Sequence, residues 1–190
     1  MDNLTQEKLN LLYQAIDQQL ESNTHVVLAI DGPCTAGKTT LADILNVKYA
    51  CNVIRMDQFF LRPEQRTAER LAQPGGNVDY ERFQEEVLQP LKAGMTFSYR
   101  PFCCSTQSLD EPVAMRCAPL TVIEGTYSTH PYFQNPYHIT VFLSIDPDTQ
   151  RERINLRPAW KHERFFKEWI PMEQAYFDHF HIPQNCSLVL

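Results

Sequence analysis

Apolar residues recur at spacings of three and four through the first part of the chain, with Leu9, Leu12, Ile16 and Leu20 on one side of residues 4–22 and Asp and Gln on the other. That period predicts an amphipathic packing helix over the N-terminal segment 1–22. The pattern then changes: His25 to Ile30 is a continuous β-branched and aliphatic run that stops at Asp31-Gly32-Pro33, the mark of a strand buried on both faces. Helical spacing returns at Leu41, Ile44, Leu45 and Val47, and Cys51 to Met56 reads as a second strand. Residues 57–78 hold Arg62-Pro63 and Pro74-Gly75-Gly76 with no clean period, so a long functional loop is expected there.

Further on, residues 79–91 (Tyr80, Phe83, Val87, Leu88, Leu91) return to a helix, and short β segments are predicted at 96–99 and 113–117. Leu120 to Ile123 and Ile139 to Ile145 predict two more buried strands, each ending at an acid, Glu124 or Asp146. Asp146-Pro147 has the cap-then-proline order of a helix start. The stretch 164–180 predicts a helix kinked or broken at Pro171, and 187–190 an edge strand. Strands alternating with helices predict an α/β domain of three layers, a mostly parallel sheet flanked by helices. No repeat and no Gly/Ser-rich linker divides the 190 residues, so a single domain over 1–190 is expected.

Composition narrows the partners. Lys and Arg number 17 against 23 Asp and Glu, a net charge of −6, which disfavours nucleic acid and anionic lipid surfaces. The longest apolar run, Val26 to Ile30, is far below the ~20 residues that span a bilayer, so no membrane is expected as a partner. Met1-Asp2-Asn3-Leu4 shows no basic stretch leading into an apolar one, and a cytoplasmic setting is the expectation. The six cysteines form no CxxC pair and read as free thiols. Of the six histidines only His179 and His181 are close in sequence, and i, i+2 on a helix points to different faces, so no structural zinc is expected.

The chemistry concentrates in Gly32-Pro33-Cys34-Thr35-Ala36-Gly37-Lys38-Thr39, which fits GxxxxGK[ST] between a strand and a helix start. Glycines let successive backbone N–H groups face an anion, the helix N-terminus adds its positive end, and Lys38 supplies a charge for β and γ phosphates. Thr39 is then the candidate Mg²⁺ ligand, with Thr40 continuing the nucleotide-binding run. Glu124, at the end of Leu120-Thr121-Val122-Ile123, is placed to reach the metal. Asp57 follows the second strand, where ligands of open α/β sheets bind, and is the candidate base for an acceptor hydroxyl; a helix or loop cap is its competing role. No NKxD guanine-reading signal is present. Tyr99, Phe59 and Phe60 are candidates for stacking a base, whereas the aromatics Phe165, Phe166, Trp169, Tyr176, Phe177 and Phe180 are expected in the core.

Together, Asp31-Gly32-Pro33-Cys34 with Gly37-Lys38-Thr39-Thr40, Met56-Asp57-Gln58-Phe59-Phe60, Gly76 to Phe83, Tyr99-Arg100-Pro101-Phe102 and Glu124-Gly125-Thr126-Tyr127 resemble the uridine kinase-like branch of the P-loop kinases, a group that includes phosphoribulokinase and pantothenate kinase. The resemblance spans roughly residues 25–180. It implies ATP and Mg²⁺ as cofactors, Asp57 as catalytic base, and Asp79, Tyr99 and Arg100 at the acceptor. It also implies a lid over 146–165 whose arginines close on the phosphates, with Arg153 and Arg157 favoured over Arg151. The implied reaction is phosphoryl transfer to a hydroxyl of uridine or a related nucleoside. The same chemistry on a sugar phosphate or pantothenate, and a nucleotide-binding regulator without transfer, are the competing readings. Gln58 and Cys103 stand where that group's pattern has acids. The expected partners are the nucleotide and a small-molecule acceptor, and homo-oligomerisation is compatible with the reading.

Overall fold

A computed structural model describes residues 4–190. Helix α1 (Gln6–Ser22) is capped by Thr5, whose hydroxyl accepts the Lys8 amide, and it buries Leu12 and Ile16; residues 1–3 of the expected 1–22 segment lie outside the described residues. Strand β1 (Val26–Asp31) is buried at every position and runs into α2 (Lys38–Tyr49) through the glycine loop. Strand β2 (Asn52–Arg55) follows, then a 3₁₀ turn (Met56–Phe59).

The expected loop 57–78 is a closed excursion with short helical turns at Pro63–Gln65 and Ala68–Leu71. Its base is zipped by Asp79 N–H to Phe59 O at 2.8 Å and Leu61 N–H to Asn77 O at 3.2 Å. Arg70 ties its far end, donating to the carbonyls of Gly76 and Val78 and pairing with both carboxylate oxygens of Glu81. Helix α3 (residues 80–92) leads into two small antiparallel ribbons, β3 (Phe97–Tyr99) with β6 (Val113–Met115), and β4 (Phe102–Cys103) with β5 (Ser108–Leu109). The second ribbon is too short to show a period in the sequence.

Strands β7 (Leu120–Glu124) and β8 (Ile139–Phe142) return to the main sheet; β8 stops earlier than the expected Ile145. Helix α4 (Pro147–Asn155) starts as expected, with Asp146 accepting the Thr149 amide. Helix α5 (residues 162–180) is continuous, so of the expected kink or break at Pro171 the break does not occur. A π turn over Phe165–Trp169 puts Ile170 N–H on Phe165 O, and this wider turn accommodates a ring that cannot donate an amide proton. The same device, π residues Gln84–Leu88 just before Pro90, occurs in α3.

Strand β9 (Leu188–Val189) completes a five-stranded sheet of order β2-β7-β1-β8-β9, parallel throughout. One core packs α1 and α2 on the sheet through Leu12, Ile16, Leu41 and Leu45; the other packs α3 and α5 through Phe83, Val87, Tyr176 and Phe177. These are the three layers the alternating pattern predicts. Phe166 is 40% exposed and Phe165 and Trp169 are half-buried, so the aromatic run of α5 divides: only Tyr176 and Phe177 are buried core, with Phe180 packed partly buried against them. Among the described residues no helix is long and apolar enough to cross a membrane, and all six cysteines are unpaired thiols.

Candidate active site

Register brings the chemistry together. Ile30 of β1 and Arg55 of β2 both pair with Glu124, so the carboxyl ends of three neighbouring strands are level, with the glycine loop after one and Asp57 just beyond another. β1 lies between β7 and β8, where successive connections leave to opposite sides and a crevice opens.

Gly32 has φ 141°, and a Cβ there would sit 2.3 Å from the Leu143 carbonyl oxygen, so only glycine fits. Gly37, at φ 101°, is the N-cap of α2 and turns the loop into the helix. Lys38 is 8% exposed, and its Nζ donates to Gly32 O and Pro33 O at 2.7 Å each and to Thr126 Oγ1 at 3.2 Å. Thr39 donates its hydroxyl to Glu124 Oε1 at 3.0 Å, while Arg55 Nε lies 3.6 Å from the same oxygen. Burial pushes the Glu124 carboxyl up, against the pull of Thr39 and Lys38.

The remaining loop atoms are held from above. Gln150 Nε2 donates to Cys34 O at 3.0 Å and Arg153 Nη1 to Thr35 O at 2.9 Å, which steadies Thr35 at φ 62°. A cleft of about 550 Å³ runs along the loop, lined by residues 35–40, Leu143, Arg153, Leu156 and Arg157. Both favoured lid arginines thus face the phosphate loop; Arg151 is exposed and outside that lining.

Beneath the loop, Asp31 is fully buried. It accepts from the amides of Gly32, Tyr127 and Thr129 and from the hydroxyls of Thr129 and Tyr176, at 2.7–3.1 Å. Burial raises its carboxyl against those donors. Asp31 joins the loop, the turn after β7 and α5 into one unit, a role that its place at the end of the apolar strand run did not announce.

On the acceptor side, Asp57 is exposed on its 3₁₀ turn. The other expected acceptor residues are placed differently. Asp79 is 2% exposed and caps α3: Oδ1 accepts the Arg82 amide at 3.1 Å and Oδ2 the Gln65 side chain at 2.9 Å. Tyr99 is 4% exposed with its hydroxyl on Gln58 Oε1 at 2.9 Å, and Phe59 is fully buried against it, so neither ring is open to a base; Phe60 is partly exposed. Arg100 spends its guanidinium on the carbonyls of Leu109 and Asp110, both at 2.8 Å, fixing the β4–β5 ribbon. Packing of the small ribbons against α3 draws Asp79, Tyr99 and Phe59 inward, while Arg100 stays on the surface of its ribbon. Cys103 sits in that ribbon, its thiol lowered to about 7 by hydrogen bonds from Ser105 and Thr106.

Residues with no role assigned from the sequence also brace the site: Thr126, Gln150, Arg55, Arg82 and Glu173. For Glu173 a signal existed, since it is an acid one turn from Tyr176 and Phe177 on the apolar face of its helix.

A solved structure described as a possible uridine kinase from Bacillus stearothermophilus superposes on this chain with a TM-score of 0.68 at 18% identity, covering 94% of this chain and 98% of its own. This chain shares that structure's fold. Weaker likenesses are to TT1252 from Thermus thermophilus (TM-score 0.48, 18% identity, 88% of each chain) and to shikimate kinase from Bacteroides thetaiotaomicron (0.44, 16%, 87% and 85%). No family profile and no curated protein matches the sequence. In this fold, the loop, Glu124 and Asp57 meet at the crevice the sheet order creates.

Proposed function

We propose that this protein transfers the γ-phosphoryl group of ATP to a hydroxyl group of a small molecule, with uridine or a related nucleoside as the acceptor class. The observation that carries the reading is the convergence of Lys38, the Thr39–Glu124 pair and Asp57 around one phosphate loop. The named likeness to a possible uridine kinase supports the acceptor class.

The loop amides and Lys38 bind the polyphosphate, and Arg153 and Arg157 lie along the cleft to neutralise its outer oxygens. Thr39 and Glu124 would hold Mg²⁺, since a hydroxyl and a carboxylate are hard oxygen donors; among the described residues no cluster of three or more His, Cys, Asp and Glu forms a closed cage, and Mg²⁺ in phosphate sites takes one or two protein ligands. When bound, the ion screens charge between phosphates. Asp57 accepts the acceptor's hydroxyl proton as the oxygen attacks. Release of ADP from ATP, measured against a panel of nucleosides, sugar phosphates and pantothenate, tests the reading. Turnover on a nucleoside supports it, turnover on another metabolite replaces the acceptor, and nucleotide binding without transfer to any of them favours a regulator.

A further inference from the structure

Glu173 is 7% exposed, and the reaction outlined above makes no use of it. Its Oε2 accepts the backbone N–H of Cys34, in the phosphate loop, at 2.9 Å. Its Oε1 lies 3.3 Å from Thr126 Oγ1, the hydroxyl that also meets Gly32 O at 2.8 Å and receives Lys38 Nζ at 3.2 Å. Thr126 has one proton, and the shorter contact, to Gly32 O, takes it. The contact with Glu173 is then a full hydrogen bond only when Glu173 itself carries the proton.

Three titratable groups face this carboxyl: Lys38 from α2, the Cys34 thiol from the loop and the Tyr127 phenol from the turn after β7. Burial and Glu173 push the thiol up to about 12, and burial raises the phenol as well, so both are neutral at neutral pH. Burial raises Glu173 too, with Lys38 and the Cys34 amide pulling the other way.

A loop of amides with a lysine at its end binds anions, and Glu173 places an anion of the protein's own on one of those amides, beside that lysine. We propose that Glu173 is a positioning residue that sets the affinity of the phosphate loop for the phosphoryl donor: neutral, it braces Cys34 and Thr126 and leaves Lys38 to the polyphosphate; ionised, it competes with the polyphosphate for both. The inference rests on reading the loop as the donor site.

Glu173→Gln mimics the neutral acid, because its carbonyl oxygen can accept from Cys34 and its amide can donate to Thr126. The dissociation constant for Mg·ATP, measured by calorimetry across pH, is expected to be about tenfold lower in the Gln variant than in wild type at the alkaline end, and the ratio is expected to fall towards one as the pH is lowered. Taking the ratio at each pH cancels the ionisation of ATP. Glu173→Ala also removes the charge and is expected to bind Mg·ATP more tightly at pH 8.5. If both variants fail to fold, the wild-type affinity for sulfate, an anion whose charge stays constant over this range, carries the same signature and is expected to weaken as pH rises. A ratio of one at every pH, weaker binding by Gln throughout, or a flat wild-type sulfate profile overturns the inference while leaving the kinase reading intact. Absence of Mg·ATP binding by wild type at any pH overturns the kinase reading instead.

Discussion

Arg82 donates from Nη2 to the carbonyl oxygen of Gln58 at 3.0 Å, so a guanidinium on α3 holds the turn that carries Asp57. The same group donates to Arg100 O at 2.8 Å and Glu86 Oε2 at 3.2 Å, lies 3.6 Å from Asp79 Oδ2, and stacks 4.3 Å from the Phe59 ring centre. Burial pulls its ionisation down, against Glu86 and Asp79. A planar fork can serve all of these at once and an ammonium cannot. Arg82→Lys is therefore expected to cost about 2–3 kcal/mol of stability and to lower kcat about tenfold through displacement of the Asp57 turn, with Mg·ATP affinity unchanged. Urea unfolding, turnover and calorimetry on one preparation check all three.

Lys38→Ala removes the side-chain cation of the phosphate loop. Its turnover is expected to fall by at least about 10²-fold, while the fold survives with a loss of roughly 1–2 kcal/mol from the carbonyls of Gly32 and Pro33 that lose their donor. Turnover within about threefold of wild type, equivalent to ~0.7 kcal/mol, would remove Lys38 from the chemistry.

Asp57→Asn keeps the shape of the side chain but cannot take a proton. Because Asp57 is exposed, stability is expected to stay within about 0.5 kcal/mol of wild type, and single-turnover transfer to slow by roughly 10²- to 10⁴-fold. Near-normal transfer by the folded variant would return Asp57 to the role of a turn residue.

Asp79 is buried as the cap of α3 and paired with Arg82. Asp79→Ala is expected to destabilise the protein by about 1–3 kcal/mol, and Asp79→Asn, which can still cap, by less. With the carboxylate 2% exposed, the acceptor KM of the Asn variant is expected to remain near wild type. A raised KM with unchanged stability would show that the carboxylate opens to the acceptor.

His130 stacks between Tyr80 (centroids 4.9 Å apart) and Tyr176 (5.7 Å), and burial pulls its imidazole from the ordinary 6.5 down to about 4. Its folded-state pKa is depressed, so the neutral ring's contribution is present above about 6.5 and is lost as pH falls from there towards 4, by up to about 3 kcal/mol. The pH dependence of the unfolding free energy over that range is expected to be shallower in His130→Gln, and an equal slope in both proteins would place the acid sensitivity elsewhere.

The elements that span the core were legible because their patterns are dense: β1 is apolar throughout, α1 repeats its stripe, and Asp146-Pro147 announces α4. Pro171 marked a disturbance of the helix but not its form: a lone proline reads equally as a kink or a break, and a π turn is a change of hydrogen-bond register with no composition of its own. The β4–β5 ribbon escaped for its length alone.

The phosphate loop was determined by sequence, since its function resides in backbone amides whose geometry the adjacent glycines, the strand before and the helix after dictate locally. Which side chains beyond it meet a ligand was decided by packing. Asp79, Tyr99 and Arg100 sit in motif positions that suggest an acceptor, yet Asp79 and Tyr99 are buried with their polar atoms bonded inside the fold and Arg100 is tied to its own ribbon, while Glu173, distant in sequence, reaches the Cys34 amide from α5, which also bonds the end of β1 through Tyr176 and Asp31. Local chemistry is written in neighbouring residues; the orientation of a side chain towards ligand or core depends on contacts between residues far apart in the chain, and those exist only once the layers have closed.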